Sequence, residues 1–378
     1  MPIYLDYAAT TPIDPDVFEA MLPFLKDDFA NPASLHQMGQ KSRKAVENAR
    51  EQVAKAIGAN SKEIIFNAGA TESINHVLQS IAQKYPNKKI ISSQLEHAAT
   101  ISTLNSLAAN GHEVVFLAPD QNAAISPEAL LKEIDNNTAL VSLMLVNNET
   151  GAITDIAKIS EIAKSFGALV FSDAVQAFGL QDLNVNKLGV DFLALSGHKI
   201  YGPKGVGVLY IRDGLEIDSF VKGGKQERGL RAGTLNTAAI VAMGKASELA
   251  TKDLEINYKH LSKIQKQFEE ELLENTLDIE INALNTERSP KQTNIWVKDI
   301  DGEALLFTLD LLGVYASAGS ACSAGSLEPS HVLTAMGLSK DQAKASIRFS
   351  FGKYTFDKEA HKAALLFKEA VERCRKFA

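Results

Sequence analysis

A succession of short apolar runs between residues 63 and 211 constrains this chain more than any other feature. The runs are EIIF (63–66), KIIS (89–92), EVVFL (113–117), ALVSLMLV (139–146), ALVFS (168–172), DFLALS (191–196) and GVGVLYI (205–211). They are nearly continuous in apolar residues rather than alternating, the pattern of strands covered on both faces. Helical spacing appears beside them. Val46, Ala49, Val53 and Ile57 recur on one face before Gly58, and Ile74, Val77, Leu78 and Ile81 repeat the pattern. Strand alternating with helix predicts an α/β fold with a mostly parallel sheet sandwiched by helices. A long helical pattern from about 235 to 275 (Ile240, Met243, Leu261, Ile264, Phe268) leads into a smaller α+β unit. That unit carries ASIRFSFG (345–352) and a charged, amphipathic C-terminal helix. A length of 378 residues suits two units. The expected division is 15–250 for a large domain and 251–378 for a small C-terminal domain, joined by the N-terminal segment 1–14.

Composition narrows the function. The net charge of −7 gives no electrostatic footprint for nucleic acid, and no apolar run has the length of a membrane span. The first residues, MPIYLDY, lack a basic and an apolar region, so no signal peptide is expected. Cys322 and Cys374 are too far apart for metal-ligand spacing or a disulfide framework, and a reducing cytoplasm is the natural compartment. Cys374, in VERCRKFA, reads as a tail residue without chemistry. Cys322 stands in GSACSAGSLEPSHVL (319–333), among small residues that leave the backbone permissive. It is either an incidental loop residue or a reactive thiol meant to travel.

Three motifs carry chemistry. In LSGHKIYGPKGVGVLYI (195–211), Ser196, His198 and Lys199 stand together where a strand ends, the place α/β proteins put ligands. A desolvated lysine there is a nucleophile for carbonyls, whereas an isolated one would be a solvated loop residue. EIIFNAGATESINHVL (63–78) runs strand, Gly69-Ala70-Thr71, helix, which makes an anion seat at the helix amides or a simple cap at Thr71. No Walker or dinucleotide pattern is present, so a single phosphate on a small cofactor fits better than a nucleotide. In ALVFSDAVQAFG (168–179), Asp173 ends a strand and Gln176 follows. Such an acid caps a helix or holds a cation, for example a protonated pyridine nitrogen. Lysine nucleophile, phosphate seat and strand-end acid together suggest pyridoxal 5'-phosphate.

The motifs LDYAATTP (5–12), NPASLH (31–36), GATES (69–73), EHAA (96–99), NNETG (147–151), DAVQAFG (173–179), SGHKIYGPKG (196–205), QERGLRAGT (226–234), GSACSAGSLEPSHVL (319–333) and RFSFG (348–352) follow the order found in a known family. Over essentially the whole chain the sequence resembles the NifS/IscS-type cysteine desulfurases, class V aminotransferases of pyridoxal-phosphate fold type I. The resemblance implies that Lys199 binds the cofactor aldehyde and moves the Cα proton. It implies that His97 stacks on the ring and relays protons, and that Asp173 pairs with the ring nitrogen. Gln176 and Asn148 would contact the ring substituents, with Asn148 also near the substrate. Ala70, Thr71, Ser196 and His198 would hold the phosphate. Thr234 would reach the phosphate of a neighbouring subunit, making a homodimer, and Arg348 would clamp the substrate carboxylate. L-cysteine is the implied substrate. Cys322 would take its sulfur as a persulfide, leaving alanine, and pass it to an acceptor such as an iron–sulfur scaffold protein of the IscU/NifU type. No resident metal is implied, although the persulfide would meet a nascent cluster. Selenocysteine lyase or another class V chemistry is the alternative; these share Lys199 and Asp173 but do not require a Cys on such a loop. Two departures stand out. Lys225 replaces a common third glycine, and Phe171 and Ser172 precede the acid where His or Val is commoner.

Overall fold

The computed structural model of the chain describes residues 2–120, 123–319 and 328–377. Its centre is a sheet whose strands are β2 (Ile64–Asn67), β3 (Lys89–Ser93), β4 (Val114–Leu117), β5 (Thr138–Ser142), β6 (Leu169–Asp173), β7 (Phe192–Ser196) and β8 (Gly207–Ile211), after a short β1 (Ile3–Tyr4) at the chain start. The order across the sheet is β2-β8-β7-β6-β5-β3-β4. Only β8 runs antiparallel to its neighbours; β7, β6, β5, β3 and β4 pair in parallel. Most of these strands are buried along their whole length, as their unbroken apolar runs require.

Helices cover both faces. They are α1 (Pro15–Lys26), α2 (Gln37–Ala56), α3 (Ala70–Lys84), α4 (Ala98–Ala109), α5 (Pro127–Glu133), α6 (Ile156–Ser165), α7 (Val185–Leu188) and α8 (Thr237–Lys252). Val46, Val53, Ile57 and Met243 join the core on one side of the sheet. Ile74, Val77, Leu78 and Ile81 of α3 form a separate core on the other.

The helical pattern expected from 235 to 275 is two helices. Chain direction changes at Asp253 (φ −100°, ψ 11°), between α8 and α9 (Leu254–Asn275). The break has a packing reason. α8 buries Ile240 and Met243 in the first core, whereas α9 turns Leu261, Ile264, Phe268 and Leu272 into another. The apolar run 139–146 likewise is not one strand. Regular pairing stops at Ser142, although Leu143 and Leu145 still donate backbone hydrogen bonds to Phe171 and Asp173.

The remaining elements are β9 (Ile279–Ile281), β10 (Gln292–Val297), α10 (Gly302–Leu311), β11 (Val314–Tyr315), α11 (His331–Ala335), α12 (Lys340–Lys344), β12 (Ser346–Ser350) and α13 (Asp357–Phe377). β12-β10-β9 form an antiparallel sheet, and β1 pairs with β11. Ile3 and Leu5 lie in the same core as α9 and α13. The first residues of the chain therefore pack with its last third, and residues 6–14 cross back to the large sheet. Among the described residues no helix is long and apolar enough to cross a membrane.

Candidate active site

The C-terminal ends of β6 and β7 open onto a cavity of ≈ 730 Å³, within the usual range of small-molecule sites, roughly 300–1,000 Å³. Asp173 closes β6 and Ser196 closes β7, and the turn Gly197–Lys199 follows directly. On the opposite wall the chain leaves β2 and starts α3 at Gly69. That glycine has φ 152°, and a Cβ at Gly207 would fall 2.5 Å from its Cα. The approach requires glycine at 207, and the φ of Gly69 favours glycine there; together they bring the first turn of α3 against the Lys199 loop. A Cβ at Gly69 itself would meet no atom within 4 Å.

Ala70, Thr71, His97, Asn148, Asp173 and Gln176 all line this cavity, as do Ser196, His198 and Lys199. Among the described residues, Arg348 and Thr234 are not part of its lining. Arg348 is 2% exposed on β12. Its Nη1 donates to the Asn148 carbonyl (3.0 Å) and its Nη2 to Asp6 Oδ1 (2.9 Å). It therefore sits one residue behind the wall, and its buried Nε has no hydrogen-bond partner. Thr234 is exposed, in the loop before α8. Arg231 of that loop pairs with Glu72 in the first turn of α3 (2.9 Å). Cys322 lies outside the described residues.

The N-terminal crossing is what holds the lysine. Lys199 Nζ donates to the carbonyls of Ala8 (2.5 Å) and Ala9 (2.8 Å). Gln176 Nε2 donates to the same Ala8 carbonyl, and Thr10 Oγ1 lies 3.2 Å from His198 Nδ1. Thr11 bonds the His198 carbonyl through both its N–H and its hydroxyl. The motif LDYAATTP thus supplies a cradle of backbone acceptors, a role its residue types did not reveal. Lys204, Met144 and Phe220 also line the cavity and were not anticipated.

Electrostatics separate the two ends of the site. Burial pushes the Asp173 carboxyl up, opposed by the Val175 N–H (2.9 Å) and by His97 and Lys199. A buried carboxylate calls for a cation beside it. His97 is held below the ordinary histidine range, first by burial and then by Lys199 and His331, against the pull of Asp173. Its Nδ1 accepts from Ala99 N–H (3.2 Å) at the start of α4, so its ring orientation is fixed. His198 is pushed down to about 4 by burial and by Lys199, Lys291 and Lys204. Lys291 is itself buried on the far side of the turn. It donates to the Lys199 carbonyl (3.3 Å) and is pushed down to about 7 by burial and by Lys199 and Arg348.

These residues fit pyridoxal 5'-phosphate. The buried Gln176 Oε1 lacks a partner and lines the cavity beside Asp173, where a ring hydroxyl could donate to it. Asp173 offers the anion a pyridinium nitrogen needs. Thr71, Ser196, His198, Lys204 and the α3 amides gather hydrogen-bond donors and positive charge for a phosphate.

Comparison with known proteins agrees. The family described as aminotransferase class-V matches residues 3–362. A cysteine desulfurase IscS of Dictyoglomus turgidum is 43% identical over 99% of this chain and 95% of its own length. A cysteine desulfurase of Nostoc is also 43% identical, over 99% of this chain and 94% of its own. Among solved structures, a NifS-like protein superposes with a TM-score of 0.92 at 35% identity, covering 99% of this chain and 100% of that one. The structure described as SspA in complex with cysteine has a TM-score of 0.84 at 35% identity, covering 94% of this chain and 100% of that one. The chain belongs to the class-V aminotransferase family and, within it, to the pyridoxal-phosphate enzymes of the cysteine desulfurase group.

Proposed function

We propose that the protein converts L-cysteine to L-alanine and leaves the sulfur as a persulfide on Cys322. The observation that carries this reading is the convergence of Lys199, Asp173 and His97 on one cavity, in a chain whose relatives are named cysteine desulfurases. When bound, pyridoxal phosphate supplies an electron sink that labilises bonds at the substrate Cα. Asp173 anchors the ring nitrogen, and Thr71, Ser196 and His198 hold the phosphate. Arg348, behind Asn148 with its fork on the Asn148 carbonyl and Asp6, would clamp the substrate carboxylate by giving up one of those bonds. Lys199 Nζ takes the Cα proton and returns a proton during formation of alanine. His97, neutral in its buried setting, orients the ring and passes a proton to or from the substrate.

The sulfur step balances without an external oxidant. The Cys322 thiolate attacks the substrate sulfur, an S–S bond forms and the Cβ–S bond breaks. The electron pair goes to Cβ, which then gains a proton to become the alanine methyl. One thiol and one L-cysteine give one persulfide and one L-alanine. The persulfide passes to an acceptor thiol, such as an iron–sulfur scaffold protein. Thr234 completes the phosphate site of a second subunit, which makes the working unit a homodimer.

The test is incubation of the purified yellow protein with L-cysteine, measuring alanine and sulfide together. Equal yields are expected in the presence of a thiol reductant. Cys322→Ala should keep the colour and form no alanine. Wild-type turnover in that variant would overturn the assignment of Cys322 and favour a lyase.

A further inference from the structure

Both ends of the segment that carries Cys322 rest on one buried carboxyl. Glu149 is 0% exposed and directly follows Asn148 of the cavity wall. Its Oε2 accepts a 2.5 Å hydrogen bond from Ser330 Oγ. On the other side Gly319 packs so closely that a Cβ there would lie 3.0 Å from the same oxygen. The next residue after Ser330 makes a second tie, His331 Nε2 lying 2.8 Å from the Glu96 carbonyl. Glu96 immediately precedes His97. Two consecutive residues therefore join the far end of the segment to the immediate neighbours of two cavity residues. At the near end, Ser317 exchanges both backbone hydrogen bonds with Arg348.

The chemistry makes this costly unless it serves a purpose. Burial raises the proton affinity of Glu149, with Ser330, His331 and Arg348 pulling it down, and its Oε1 has no hydrogen-bond partner among the described residues. A leucine would fill the space without a desolvation cost. What the carboxyl provides, and a leucine would not, is a directional acceptor for the Ser330 hydroxyl at the place where Gly319 packs.

We propose that Glu149, Ser330 and His331 are positioning residues for the sulfur-transfer step, fixing the chain on either side of Cys322 to the cofactor cavity. The proposal rests on the reading of Cys322 as the sulfur acceptor. It concerns the thiol's approach to the substrate and not the cofactor's own site. Near-attack placement of reacting atoms governs such a step steeply, with displacement of about 1 Å costing roughly 100-fold.

Ser330→Gly tests it. Ser330 also caps α11 through the Leu333 N–H (3.2 Å), but glycine is tolerated at that position, so the change removes the hydroxyl with little loss of the cap. Three quantities are read: the visible band of the bound cofactor, the dissociation constant for L-cysteine from its spectral shift, and the single-turnover rate of alanine formation. We expect the band and the dissociation constant to hold within about twofold while the rate falls roughly 10- to 100-fold. Ser330→Thr restores the hydroxyl and recovers most of the rate. An unchanged rate in Ser330→Gly would overturn the proposal. So would a slower rate matched by an equal loss of L-cysteine affinity, which marks general damage to the site. Cys322→Ala, run in parallel, separates the two readings. If it is inactive while Ser330→Gly runs at the wild-type rate, only the latch is wrong. If Cys322→Ala turns over normally, the thiol assignment fails and the latch fails with it.

Discussion

The two sides of the active site are built differently. The cofactor side (Asp173, Ser196, His198 and Lys199) hangs from adjacent strands of one sheet that is packed by apolar cores on both faces. The substrate side (Arg348, with Asp6 and the Asn148 carbonyl) is assembled from β12, the N-terminal crossing and the large sheet's own loop. Only Asn148 of that set lines the cavity. The first side is preorganised by secondary structure. On the proposed reading of Arg348, substrate binding and the packing of β12 against the N-terminal crossing draw on the same contacts. Changes on the cofactor side should remove chemistry, and colour with it where Lys199 itself is lost. Changes on the substrate side should leave colour intact and weaken binding.

Lys199→Ala gives the largest effect expected. On the proposed reading it removes the group that would hold the cofactor covalently and the base that would move the Cα proton. Loss of proton transfer alone costs about 100- to 10,000-fold, and loss of the covalent bond adds to it. The visible band near neutral pH should vanish with turnover. A variant that keeps the band would break the assignment of the cofactor side as a unit.

Asp173→Asn comes next. It preserves shape and removes the charge that a cationic ring nitrogen requires. Stripping one partner from a buried ion pair costs about 3 kcal/mol or more, or roughly 100-fold in rate if the pairing is felt fully in the reaction. The cofactor should remain bound through Lys199 and the phosphate donors, so the readout is kcat with an intact band. An unchanged kcat would mean that the acid serves packing only.

Arg348→Lys probes the other side. Lysine keeps one charge but loses the fork that reaches Asn148 and Asp6 at once. One charge-assisted hydrogen bond is worth about 1.5–3 kcal/mol, so KM for L-cysteine should rise about 10-fold or more while the band and kcat change little. A fall in kcat with unchanged KM would erase the distinction drawn between the two sides.

The sequence made the cofactor side legible because its residues sit at strand ends within contiguous motifs. SGHK and DAVQ each place their chemistry a fixed number of residues from an apolar run. The substrate side was legible only through resemblance, since nothing in RFSFG says which loop Arg348 will face. The residues that hold the machinery were less visible still. Ala8 and Ala9 act through carbonyls, which no side-chain pattern encodes, and Glu96 and Glu149 are charged residues whose burial depends on tertiary packing. The helical pattern expected over 235–275 did not show the break at Asp253. What changes there is which core the face meets, and that is a property of the fold rather than of the local sequence.

The smallest effect expected is in acid stability. His198 is pushed down to about 4 by burial and three lysines, against an unfolded value near 6.5. Its folded pKa lies below its unfolded one, so its contribution to stability is complete above pH ~6.5 and is lost as pH falls toward about 4. His97 and His76 are lowered by burial in the same sense and add to the loss in this window. Asp14, whose carboxyl is held low by Lys353, loses its contribution only at lower pH. A bound phosphate beside His198 would favour the charged imidazole and offset the lysines. The thermal midpoint of the cofactor-free chain should therefore fall more steeply between pH 6.5 and 4 than that of the loaded enzyme. His198→Gln should flatten the cofactor-free curve and bring it toward the loaded one. Parallel slopes for the two forms would mean that His198 does not face the phosphate, and would move that residue out of the cofactor side while leaving Lys199 and Asp173 in it.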